Sequence, residues 1–322
     1  MKVTVNNRQV SLPDFFIVGA AKGATTSLHA YLKQHPKIFL PERKELYFLA
    51  LGGETPRFKL ADGTPREKVG VNREEYFKIF ENNPEGCVSG DTSSWYLYYY
   101  KEVIRNIQEL YGSQAGKIKV IMVLRNPVDR AWSHYCMHLG QGIIDLPFHE
   151  AITPGMNSFR EKINDPDAGY FPGYDYIGFG MYSRQVEAFL EAFDQVKIFL
   201  YEEFDKDNLA VVNEIIQFLG FEPVEQLEKG KRLNISGEPR SGLAALAGRL
   251  IYRPYFFKKI FRSLLPKRLR YKIKMNISRF LFKKKYMRKE DRQLLKDIFR
   301  EDIQRLQKLL NKDLSPWLNN ED

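Results

Sequence analysis

The run FFIVGAAKGATTSLHAYLKQHP, residues 15–36, constrains the fold more than any other stretch, because an apolar segment breaks at Gly19 into a lysine-bearing turn that opens a helix. Phe15, Phe16, Ile17 and Val18 predict a short buried strand, and Leu28, Tyr31 and Leu32 recur at helical spacing until Pro36 ends the run. Between them the amides of Lys22, Gly23, Ala24, Thr25, Thr26 and Ser27 point into one concavity at a positive helix end, a place for an anion without any metal. A Walker A loop puts its lysine directly after the second glycine, followed by a Ser or Thr for magnesium. Here Lys22 precedes Gly23, so the loop predicts a phosphorylated group held by a scheme other than that of the NTPases. A merely structural strand-to-helix crossover is the other reading of these residues.

A second element strengthens the first. Residues 118–138, IKVIMVLRNPVDRAWSHYCMH, predict another buried strand running into Arg125, an Asn126-Pro127 turn, and a helix that carries Ser133 about two turns along. Arg125 at the strand end and Ser133 on the helix are placed to flank one phosphate beside the first loop. A turn arginine paired with Asp129, with a serine on a helix surface, is the alternative.

Together the two segments resemble the sulfotransferase superfamily that uses 3'-phosphoadenosine 5'-phosphosulfate (PAPS). FIVGAAKGATTSL is similar to the family's loop for the 5'-phosphosulfate, and VLRNPVDRAWSHY to its 3'-phosphate element, with Arg125 and Ser133 at the matching positions. The resemblance continues through PERKELYFLA, GDTSSWYLYY, IFLYEEF, EIIQFLGFE and FREDIQRLQKLLNKDLSPWL, and so covers nearly the whole chain. It lies nearest the bacterial members and the branch that includes heparan sulfate sulfotransferases. It implies an α/β, P-loop-like three-layer fold with a central, mainly parallel sheet, and PAPS as cosubstrate with no metal.

The same resemblance places Glu45, which follows Lys44, at the position of the catalytic base. Sulfuryl transfer is an in-line displacement at sulfur by an acceptor hydroxyl or, less readily, an amine, so a carboxylate within reach can take the acceptor proton. Lys22 at the bridging oxygen offsets charge on the departing phosphate. Read from the residues alone, Glu45 also fits a surface carboxylate paired with Lys44 or Arg43. The heparan sulfate branch reads K-E-x-H-F-F at this point, whereas Tyr47 stands here in the histidine's place, a departure that bears on the acceptor and not on the transfer. His134, beside Ser133, is the reserve base, although a helix histidine near a cofactor also fits a hydrogen-bonded structural role.

Downstream, GDTSSWYLYY offers Asp91, Thr92, Ser94, Trp95 and Tyr96 near an expected strand end, the edge where open α/β sheets bind ligands. Hydroxyls interleaved with aromatics suit a sugar or a flat acceptor, and equally a packed sheet surface. KIFLYEEF predicts a strand ending at Tyr201, which the resemblance puts beside the nucleotide. RLNISGEPRS resembles the family's late cofactor loop, with Arg232, Asn234, Ser236 and Arg240 closing over the 3'-phosphate. Residues 140–182, rich in Gly, Pro, Tyr and Phe, predict an inserted loop over the acceptor site, and long functional loops often serve as lids. Leu294, Leu295, Ile298, Phe299, Ile303, Leu306, Leu309 and Leu310 mark one face of a final helix that Ser315-Pro316 stops.

With 322 residues and 43% hydrophobic content the chain suffices for one sizeable core, and it reads as a single domain over 1–322 with a helical C-terminal portion, 240–322. Cys87 and Cys136 are too few for a disulfide framework and lack metal-ligand spacing, and the N-terminus lacks a signal-peptide core, so a cytoplasmic location is expected. Charge is uneven: residues 240–289 carry 17 Lys and Arg and no Asp or Glu, leaving −7 for the remainder against the total of +10. Such a segment suits an anionic surface or polysaccharide, or is a solvated face, and no nucleic-acid module accompanies it. The expected activity is PAPS-dependent sulfation of a carbohydrate or small metabolite. A metal-dependent P-loop kinase fits less well, since Lys22 is displaced and Arg125 stands where an acidic magnesium site would follow a strand. A non-catalytic polyanion-binding protein on the same fold is disfavoured by the intact Lys22 and Glu45.

Overall fold

The computed structural model describes residues 1–5, 8–60, 63, 65, 69–141, 143–144, 146–153, 169, 171–228, 238–239, 282–283 and 286–319. An antiparallel hairpin, β1 (Lys2–Val5) with β2 (Arg8–Ser11), precedes the central sheet. That sheet has five strands, β3 (Phe15–Gly19), β4 (Ile38–Phe39), β5 (Val88–Thr92), β6 (Lys119–Leu124) and β7 (Gln195–Leu200), in the order β4-β5-β3-β6-β7 and all parallel.

Alternation along the two central strands divides the core into two layers. Phe15, Ile17, Ile121 and Val123 face one way, onto Leu28 and Leu32 of α1 (Thr25–Leu32). Phe16, Val18, Val120, Met122 and Leu124 face the other, in the cluster that holds Tyr76 and Phe80 of α2 (Arg73–Glu81) and Val103 and Ile107 of α3 (Tyr100–Tyr111). Successive strand side chains point to opposite faces, so strands buried on both sides read as unbroken apolar runs. The expected three-layer, mainly parallel α/β architecture is what the chain adopts.

Residues that connect and cover the sheet follow from local signals. Asn126 caps α4 (Pro127–Gly140) by accepting from the Val128 amide at 3.0 Å, with Pro127 at the first helical position. α5 (Phe148–Ile152) and α6 (Tyr182–Ala192) follow, then α7 (Tyr201–Lys206) and α8 (Asn208–Leu219) after β7. α8 adds Val212, Ile215 and Ile216 to the α1 layer. β8 (Glu238–Pro239) pairs antiparallel with β9 (Phe282–Lys283). α9 (Lys289–Leu310) buries Leu295, Phe299, Ile303 and Leu306 against the other layer, and α10 (Pro316–Asn319) closes the described chain.

Two expectations change. The final helix is ended by Asn311 in a left-handed conformation, φ +49°, and Ser315-Pro316 opens α10 instead of stopping α9. Within the expected lid, Phe171, Tyr174, Tyr176 and Phe179 are buried in the core, so this part of 140–182 is packed structure; residues 154–168 lie outside the described set. Most of the basic stretch 240–289 lies outside it as well. Among the described residues no helix is long and apolar enough to cross a membrane.

Candidate active site

In the order β4-β5-β3-β6-β7 the chain leaves β3 toward one side and returns past it to reach β6 on the other, which places the loop after β3 at the switch point of the sheet. Residues 19–24 make a turn in which Lys22 and Ala24 both take left-handed conformations, φ +73° and +65°. Such a turn gathers successive amides into a concavity. A Cβ on Gly23 would lie 2.2 Å from the Val123 carbonyl oxygen, so only glycine lets the turn press against β6. No side chain caps α1, and of the six amides expected in the concavity those of Gly23 and Ser27 instead donate to the Ala20 and Ala24 carbonyl oxygens, at 2.9 Å each.

Lys22 reaches across to α4, where its ammonium donates to the Met137 sulfur at 3.5 Å. Burial, followed by the charge of Arg125 and, less strongly, Arg130 and Lys44, pulls it down to about 8 against an opposing effect of Cys136. Arg125, at the end of β6, donates to the Lys22 carbonyl oxygen at 3.3 Å and lies over the Tyr201 ring at 4.5 Å. Neither cation forms an ion pair among the described residues. Asp129, the alternative partner considered for Arg125, instead pairs with Arg292 at 3.1 Å. Arg125 and Tyr201 line a cleft of about 520 Å³ with Trp317. Ser133 is half-buried two turns into α4, and its hydroxyl has no hydrogen-bond partner among the described residues. Arg232, Asn234, Ser236 and Arg240 lie outside the described residues.

The expected base faces this loop. Lys44 donates to the hydroxyls of Thr25 at 3.2 Å and Thr26 at 3.0 Å, and its ammonium lies 3.3 Å from Glu45 Oε1. It therefore joins the start of α1 to the carboxylate. Burial lowers the Lys44 ammonium, opposed by Glu45 and Asp91. Glu45 Oε2 accepts from the Ser94 amide at 2.8 Å and the Ser94 hydroxyl at 3.1 Å. Three donors occupy three of the roughly four lone-pair positions of a carboxylate, leaving one for an incoming hydroxyl. Glu45 and Tyr47 sit at φ +58° and +54°, conformations that cost on the order of 1 kcal/mol each for non-glycine residues.

Around Glu45 opens a second cleft of about 380 Å³, lined by Lys44, Tyr47, Trp95, His134 and Phe171 among others. The Tyr47 and Trp95 rings lie 4.5 Å apart, so the histidine's replacement forms an aromatic wall. Met137, His138 and Gln141 join His134 on the lining, spaced i, i+3, i+4 and i+7 along α4 and its C-terminal cap, Gln141. Sequence reasoning missed these three and Arg43, also on the lining; the helical spacing from His134 was the available signal.

Three expected substrate contacts are corrected. Asp91 is fully buried and accepts from Ser93 at 2.9 Å, Tyr96 at 2.7 Å and Tyr76 at 3.0 Å; burial pushes it up to about 6. Tyr96 is committed to this carboxylate and is equally buried. Thr92 bonds His29 Nδ1 at 2.9 Å, where burial and then Lys44 hold the imidazole down to about 4. These side chains lie beneath the site. His134, the reserve base, lines the same cleft, with Nδ1 3.1 Å from the buried Arg130 guanidinium, which can only donate, so this nitrogen accepts.

Comparison with known proteins agrees with this geometry. The structure is similar to a crystal structure of a sulfotransferase from Alicyclobacillus acidocaldarius, with a TM-score of 0.65 and 27% identity, covering 96% of this chain and 99% of that one. The sequence is 24% identical over 225 residues to the bifunctional heparan sulfate N-deacetylase/N-sulfotransferase 4 of Mus musculus, covering 66% of this chain and 23% of that protein. It is 24% identical over 216 residues to heparan sulfate glucosamine 3-O-sulfotransferase 3A1 of Mus musculus, covering 66% of this chain and 47% of that protein. The chain thus matches less than half the length of these two relatives. The family described as the sulfotransferase domain matches residues 12–236, and the chain belongs to it.

Proposed function

We propose that this sulfotransferase moves the sulfuryl group of PAPS onto a hydroxyl of a carbohydrate or small metabolite, with Glu45 as base. The observation that carries the reading is the meeting of a half-buried lysine lacking any carboxylate partner among the described residues with a Lys44–Glu45 pair across the same loop. The residues suit the nucleotide: the left-handed turn and Lys22 for the 5'-phosphosulfate, Arg125 over Tyr201 for the second phosphate. PAPS supplies an activated sulfuryl group.

In the transfer the acceptor oxygen forms a bond to sulfur as the bond from sulfur to the bridging phosphate oxygen breaks. Glu45 takes the acceptor proton, and adenosine 3',5'-bisphosphate leaves. Lys22 neutralises the charge that develops on the leaving phosphate, and its low-dielectric surroundings strengthen that effect. Lys44 holds Glu45 toward the α1 N-terminus, so donor and base share one origin. Either acceptor loses a proton on transfer, but a hydroxyl is the weaker nucleophile and depends more on a base as its bond to sulfur forms, so the carboxylate suits O-sulfation. Tyr47 and Trp95 give the acceptor an apolar face.

Purified protein given PAPS and a mixed panel of saccharides, phenols, alcohols and amines tests this by mass spectrometry. Products bearing one added sulfuryl group on a hydroxyl are expected. Sulfation confined to amines removes the O-transfer assignment, and failure to bind adenosine 3',5'-bisphosphate without magnesium removes the donor.

A further inference from the structure

The segment that carries Glu45 has no regular secondary structure, yet its amides are accounted for almost one by one from the turn after β5. The Glu45 amide donates to the Thr92 carbonyl oxygen at 3.0 Å. Leu46 and Tyr47 both donate to the Ser93 hydroxyl oxygen, at 3.0 and 3.3 Å, and Leu49 donates to the Tyr96 hydroxyl oxygen at 3.3 Å. The two left-handed residues, Glu45 and Tyr47, fall inside this tethered stretch.

A hydroxyl has one proton and two lone pairs, so what it donates to decides what it can accept. Ser93 gives its proton to Asp91 Oδ1 and Tyr96 gives its own to Asp91 Oδ2. Both oxygens are then obliged to turn lone pairs toward the 46–49 amides. Ser93 uses all three of its positions this way, one donated and two accepted. Asp91, fully buried and acceptor-only when ionised, sets the direction of the whole relay.

We propose that Asp91 and Ser93 are positioning residues for the reaction: through the 46–49 amides they hold Glu45 in the left-handed conformation that aims its carboxylate at the donor loop. The proposal rests on the reading of Glu45 as base. Asparagine at 91 would have to turn its NH₂ toward Ser93 or toward the two tyrosines. Turned to Ser93, it occupies a lone pair that the Leu46 or Tyr47 amide needs. Tyr76 supplies the contrast, because it donates to the same carboxylate without receiving any amide of the Glu45 segment.

The test compares single-turnover rates at saturating PAPS, affinity for adenosine 3',5'-bisphosphate, and melting temperature. Ser93→Ala and Asp91→Asn are expected to slow turnover by about 10–100-fold, the scale of a small misplacement at a reacting centre, with nucleotide affinity little changed. Ser93→Thr, which keeps the hydroxyl, recovers most of the rate. Tyr76→Phe lowers the melting temperature but leaves the rate near its original value. In a Glu45→Gln background Ser93→Ala adds little, because both act through one group. Rate losses that simply track melting temperature across all variants, or full additivity with Glu45→Gln, overturn the proposal. Should Asp91→Asn fail to fold, the Ser93 pair carries the test. Normal turnover in Glu45→Gln alone is a separate outcome that faults the base assignment.

Discussion

Residues 19–24 and 43–49 each contain two left-handed non-glycine residues, Lys22 and Ala24 in one, Glu45 and Tyr47 in the other, but they are restrained in different ways. The first is restrained mostly by backbone: Ala20 donates to Val123 at 2.9 Å, Gly23 donates to Ala20 at 2.9 Å, and Gly23 presses on the same strand. The second is restrained mostly by side chains from another strand's end, chiefly Ser93, Ser94 and Tyr96. The charges differ in the same sense. Lys22 is a half-buried cation with a weak sulfur contact, whereas Glu45 is a carboxylate already holding three donors. A backbone cradle with unpaired positive charge suits binding of a fixed anionic donor, while a side-chain-built carboxylate can be retuned for different acceptors without disturbing the cradle.

The sharpest way to break that division is Glu45→Gln, which keeps shape but not proton acceptance. Turnover is expected to fall by about 10²–10⁴-fold while the affinity for adenosine 3',5'-bisphosphate barely moves. Rapid-quench single turnovers beside calorimetry measure both, and a near-normal rate returns the search for the base to the rest of the cleft. Lys22→Ala belongs to the other side of the division, so it should fail on both counts: turnover lower by about 10²–10³-fold, and PAPS bound more weakly.

Arg125→Ala is expected to act on binding alone. Adenosine 3',5'-bisphosphate should lose about 1.5–3 kcal/mol, the scale of a charged hydrogen bond, while AMP, without the second phosphate, loses little. Equal losses for the two nucleotides would detach Arg125 from the 3'-phosphate.

The smallest effect is one of pH. Because Lys22 is held near 8, below its ordinary 10.5, its positive charge is lost as pH rises through 8 and nucleotide affinity should fall by up to about tenfold per unit above that point. The empty protein should move the opposite way. Between pH 8 and 10.5 the unfolded chain binds more protons at this lysine than the folded one, so its contribution to stability rises with pH across that window. Calorimetry and thermal melts over the same buffers read the two slopes, and parallel slopes would mean that Lys22 is not the titrating group.

Of the candidate site, the lysine-bearing turn after β3 was the more legible half. A buried strand, Gly19, Lys22, Gly23 and a helix lie within one short stretch, so their geometry is set by local backbone rules that the residue types display. Glu45 was found only through resemblance, since a charged residue in an irregular segment is indistinguishable by pattern from a solvated one. Asp91, Thr92 and Tyr96 were misread for the opposite reason. A strand end rich in hydroxyls and aromatics looks the same whether it faces a ligand or a neighbouring segment, and here it faces residues 45–49. The buried aromatics of 171–179 were taken for a loop because the segment's only regular pieces are two three-residue 3-10 turns, Pro172–Tyr174 and Gly178–Gly180, too short to show a periodicity.

The sequence by itself determined the α/β class, the central strands and the turn that carries Lys22, because each depends on neighbours within a few residues and on apolar runs that must be buried. Only the tertiary structure decided which carboxylate faces the cleft and which lies beneath it. Asp91 and Glu45 are both acidic residues beside serines, and the difference between them is which hydroxyls and amides the fold brings within 3 Å or so of each. Asp91 is enclosed by partners close in sequence, Ser93, Tyr96 and Tyr76, but the Glu45 segment meets Ser93 and Ser94 across nearly fifty residues, and no local pattern encodes that meeting.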